Sequence, residues 1–168
     1  MVTTPNKIDA TAAVCALTFI AVLAVSAYWD PGIRALHVVE SLPYLLAALL
    51  CLRRNTLGYA LGLVSGAFWL WTAGVLTTFI RNGFERLGML VRSGSVDRWD
   101  ILIAVPAAVA AAGLAVSSVL GYASRSSKSW RDAVVLAAAV VIVPAFFVAI
   151  FAVFAPQYLG MFRGLAIR

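Results

Sequence analysis

Apolar residues in this chain run in long blocks instead of alternating with polar ones, and charged residues fall almost entirely between the blocks. Five blocks stand out, at about residues 10–29, 33–52, 57–80, 101–122 and 133–154. A helix of about 20 residues crosses a hydrocarbon core of roughly 30 Å. The pattern therefore predicts an all-α polytopic membrane protein, with five transmembrane helices in one bundle over residues 1–168. The first block also has the outline of a signal peptide, with Lys7 ahead of it and Val25-Ser26-Ala27 near its end. Asp9 spoils the basic leader, which favours a retained span.

The one long connection, from Arg81 to Asp100, has a different period. Phe84, Leu87 and Leu90 or Val91 share one helical face, with Arg81, Glu85 and Arg92 on another, which predicts a short interfacial amphipathic helix at about 82–92. Asp97 is the expected cap of the span that follows, with Asp100 in its first turn. The tail from Ala155, carrying Tyr158, Phe162, Arg163 and Arg168, is expected to lie along the membrane surface.

Two rows of small residues are written into the spans. Gly58, Gly62, Gly66 and, after a gap, Gly74 line up in the third, and Gly113, Ser117 and Gly121 in the fourth. Residues four apart stack on one helix face, so each row is a groove into which another helix can pack closely.

Ionisable groups well inside a span occur only in the second. His37, Glu40, Ser41 and Tyr44 fall on one side of that helix, and Pro43 among them removes a backbone bond to Val39, the expected site of a kink. Such a stripe suits hydrogen bonding to a neighbouring span, for which Tyr59, Ser65 or Thr72 are candidate partners. It also suits a proton or ion path.

Composition agrees with the pattern. Apolar residues make up 63% of the 168 and charged residues 12%, against about half and a quarter in soluble domains. The formal charge of +6 sits at span ends, where headgroups and topology account for it, and no basic stripe points to nucleic acid. The scarcity of lysine beside arginine, with abundant alanine, valine and glycine, is typical of GC-rich bacterial genomes and points to a bacterial inner membrane. Basic residues divide nearly evenly between the two faces, so charge does not orient the chain. Cys15 and Cys51 lie inside apolar blocks as packing residues.

A single histidine excludes bis-histidine haem and multi-histidine metal sites built by one chain. No nucleophile elbow or phosphate loop is present, so no enzyme activity, cofactor or metal is expected. On sequence alone the favoured function is an accessory subunit of a membrane complex or a homo-oligomer, with the bilayer and other subunits or itself as partners. The alternative is a small transporter or proton-coupled permease using the His37, Glu40, Ser41 and Tyr44 stripe.

Overall fold

The computed structural model describes residues 6–160, so Phe162, Arg163 and Arg168 of the tail lie outside the described residues. The long helices are α1 (Lys7–Trp29), α2 (Arg34–Leu52), α3 (Thr56–Trp71), α4 (Phe79–Ser93), α6 (Ala104–Ala123) and α7 (Trp130–Phe154); α5 (Trp99–Leu102) is one turn. No strand occurs among the described residues. Five of the helical stretches are long and apolar enough to cross a membrane.

Local signals set the helix ends. Asn6 and Asp9 form a capping box at the start of α1, and Ser129 and Asp132 form another at the start of α7. Asp30 caps the turn Pro31–Ile33, which reverses the chain between α1 and α2. Gly94, at φ 70°, ends α4 in the left-handed region where glycine carries no penalty.

Helices α1, α2, α3 and α6 pack in a closed ring, each against the next, and α7 lies outside it against α3 and α2. Only one stripe of α7 is buried in the protein, through Ala139, Val143, Phe147 and Ile150. Its remaining surface is valine, isoleucine and leucine facing outward.

Much of the glycine row is consumed inside this ring. A Cβ on Gly58 would come within 2.6 Å of the Cys51 backbone nitrogen in α2, and one on Gly66 within 2.6 Å of the Ala111 carbonyl in α6. Gly62 meets Ser118 and Leu114 of α6. Four-residue steps drift by about 40° around a helix, so the top of the row serves α2 and the rest serves α6. In α6, Gly113 abuts Cys15 of α1 and Gly121 abuts the Tyr59 ring of α3, while the buried Ser117 bonds back to the Gly113 carbonyl at 2.5 Å.

Three boundaries differ from expectation. The third span stops at Leu76 instead of Ile80, because Thr72–Leu76 forms a π-helical turn closed by the Thr77 N–H on the Thr72 carbonyl at 3.0 Å. Gly74 sits exposed in that turn with only Ile80 near it, so within this chain it packs against no helix of the ring. Phe79 and Ile80 instead open α4, which is longer than the expected 82–92 and packs on α6 through Gly83, 2.8 Å from the Ala104 methyl when given a Cβ. Asp97 does not cap α5: the N-cap is Arg98, and Asp97 faces Arg86 at 3.5 Å.

Candidate functional site: a one-sided cavity above a buried His–Glu pair

Helix α2 runs through the buried Pro43 without a break, which keeps His37 and Glu40 one turn apart on its inner face. His37 Nδ1 lies 2.9 Å from Glu40 Oε2, and its Nε2 lies 3.1 Å from Ser26 Oγ near the end of α1. Glu40 is only 3% exposed, about 10 Å below the start of the span by the helical rise. With one ring proton, Nδ1–H donates to the carboxylate and Nε2 accepts from the serine hydroxyl. With two, both nitrogens donate and the hydroxyl rotates to accept. Both arrangements use the same heavy-atom positions.

His37 and Glu40 line a cavity of about 770 Å³, within the range of roughly 300–1,000 Å³ typical of ligand pockets. Its walls come from the ends of α1 and α2, the π turn, α4, α5 and α7. The π turn matters here because Thr72, Thr77 and Thr78 all line the space. At the mouth Arg98 holds Asp100 with two bonds of 2.9 and 2.6 Å. Those bonds, then the carboxylate's charge, hold the Arg98 guanidinium above its ordinary pKa, so it stays charged at any physiological pH.

Below the pair an aromatic layer closes the interior. Phe19 stacks on Tyr44 with ring centroids 4.3 Å apart and meets Trp69 edge-on at 5.0 Å, and Phe147 abuts Tyr44. Tyr44 is fully buried and donates to the Ser65 carbonyl at 3.2 Å.

The opposite end is crossed by polar bonds between helices, beside a smaller cavity of about 280 Å³ lined by Thr56, Tyr59, Ser118 and Asp132 among others. Asp9 is wholly buried, accepts from the Tyr59 hydroxyl at 2.6 Å, and faces Arg54 at 3.5 Å. Arg54 adopts φ 54°, the left-handed position past a helix end that glycine normally takes. Thr56 donates to Asp132 at 2.7 Å, and Arg125 contacts both.

Of the four stripe residues, His37 and Glu40 face the cavity and Tyr44 sits in the layer beneath. Ser41 leaves the site, its hydroxyl donating to the Val38 carbonyl of its own helix at 2.7 Å. None of the expected cross-helix partners reaches Glu40. Tyr59 is committed to Asp9, the Thr72 hydroxyl to carbonyls of its own helix, and Ser65 offers its carbonyl to Tyr44. Sequence reasoning missed Ser26, the Arg98–Asp100 mouth and the Asp9–Arg54–Tyr59 cluster. Only the last left a readable trace, an acid in the first turn of a span and a second arginine where a helix ends. Among the described residues no three His, Cys, Asp or Glu side chains converge as metal ligands. No protein-family model, curated protein or solved structure matches the chain.

Proposed function

We propose that this chain is a small solute permease of a bacterial inner membrane, with the His37–Glu40 pair coupling solute to proton. The observation that carries it is a ligand-sized cavity at one end of the bundle, with the buried His37–Glu40 pair at its floor and cross-helix ion pairs at the other end. Alternating access needs such an asymmetry, in which one side is open while the other is latched. The buried Ser65 hydroxyl, beneath the aromatic layer, finds no hydrogen-bond partner in this state. An orphaned polar group in a dry interior costs free energy that water would relieve once the other end opens. In this account α4 lies in the membrane interface, its exposed Phe84 and Val91 turned to lipid. The accessory-subunit reading rested in part on the small-residue rows, and most of those residues are committed to contacts within the chain.

Access is testable without knowing the solute. With Cys15 and Cys51 replaced by alanine, single cysteines at Ser26 and Ser65 are treated with a membrane-impermeant thiol reagent from each face of the bilayer. A permease gives labelling at Ser26 from the cavity face and slower, pH-dependent labelling at Ser65 from the other. A bundle that serves only as packing leaves the Ser65 cysteine unreactive from both faces at every pH.

A further inference from the structure

The cavity's charge balance says what kind of solute it takes. Among the described residues its walls carry three carboxylates, Asp30, Glu40 and Asp100, against one guanidinium, Arg98, and His37. Arg98 is spent on Asp100. Asp30 stands at the mouth, where its carboxylate also accepts from the Gly32 N–H at 2.9 Å. No titratable side chain of α3, α6 or α7 lines the space. The floor is then neutral when His37 is an imidazolium and carries a full negative charge when His37 is neutral.

The walls are aromatic. Trp29, Trp69, Phe79, Trp99, Phe147 and Phe151 all contribute, and ring faces attract cations that have been stripped of water. A bare metal ion needs six or so oxygen ligands at close range, which this mostly apolar lining lacks. A bulky organic cation needs only a negative charge and apolar surface.

We propose that the cavity binds a lipophilic organic cation, an ammonium or phosphonium with apolar substituents, in exchange for the proton of the His37–Glu40 pair. The Nδ1–H bond to Glu40 is kept. The Nε2–H bond breaks, its proton goes to water through the cavity, and the Ser26 hydroxyl turns to donate to Nε2. One positive charge enters as one leaves, so the floor returns to neutrality. This deepens the permease proposal by naming its solute class, yet binding in detergent requires no transport. Loss of cation binding with Ser65 labelling retained refutes the cation alone, and the reverse result refutes the transport.

The test is equilibrium binding of tetraphenylphosphonium to the purified full-length protein, beside tetraphenylborate, an anion of the same shape. The expected result is saturable binding of the cation alone, tightening by about tenfold per pH unit over the range in which the pair holds its extra proton. Up to one proton is released per cation bound. Glu40→Gln weakens binding by more than about tenfold, and His37→Gln removes the pH dependence. Proton release is measured on wild-type protein and stands whether or not the variants fold. Equal binding of the two ions, or cation binding with no proton release at any pH, overturns the proposal.

Discussion

The two ends of this bundle use the same kinds of residues to opposite effect. At the closed end each acid caps its own helix and is also held by groups far away in the chain: Asp9 by Tyr59 and Arg54, Asp132 by Thr56. At the open end the acids are met within a turn, Glu40 by His37 and Asp100 by Arg98, with His37 passing a bond on to Ser26 of α1. Bonds between helices tie them together, whereas bonds within one leave its neighbours free to stand apart. Packing follows the same division. Gly58 and Gly121 let backbone and ring approach at the closed end, while indole and phenyl groups hold the walls apart at the other. What separates the two ends here is therefore how their acids are paired and how closely their helices approach, and not polarity.

The sharpest break of this contrast is to give the glycine row side chains. Gly58→Val drives a branched side chain into α2 backbone that cannot swing aside, and should cost about 3 kcal/mol or prevent folding. Gly74→Val, in the same row but exposed in the π turn, should leave thermal unfolding in detergent nearly unchanged. Next in size is Asp9→Ala, which leaves Arg54 without its acid and Tyr59 without its acceptor and should cost about 3 kcal/mol by the same assay. Tyr59→Phe removes one charge-assisted bond and should cost about 2 kcal/mol. If these closed-end variants melt like wild type, the seal is not where the stability lies.

Much of this architecture was legible beforehand, and the reason is physical. Apolar block length fixes how many helices can cross a bilayer, and helical period fixes which residues share a face, so His37 and Glu40 could be set together from spacing alone. Partners in other helices leave no periodic trace. Tyr59 lies fifty positions from Asp9, and nothing local says which of several polar groups an acid will meet. The π turn was hidden for another reason. Thr72 and Thr77 are ordinary in an apolar helix until their hydroxyls bond back to carbonyls and the ladder shifts by a residue. The cavity depends on that shift, because it ends the third span early and places α4 and α5 around the mouth.

The smallest effect expected on stability is the most informative about function. Glu40→Gln keeps shape and can still accept from His37, so unfolding should change by less than about 1 kcal/mol while the pH dependence of Ser65 labelling is altered. A large loss of stability would recast the pair as glue between helices.

The central contrast, a ligand-sized cavity at one end against a closely bonded end at the other, is most directly read by hydroxyl-radical footprinting of the purified protein with mass spectrometry. Trp69 and Tyr44 both touch the Phe19 ring, but only Trp69 lines the cavity. The account predicts rapid oxidation of Trp69 and, on the cavity side, Trp29 and Trp99, with Tyr44 and Tyr59 protected until unfolding. Oxidation of Tyr44 as fast as Trp69, or protection of both, would contradict it.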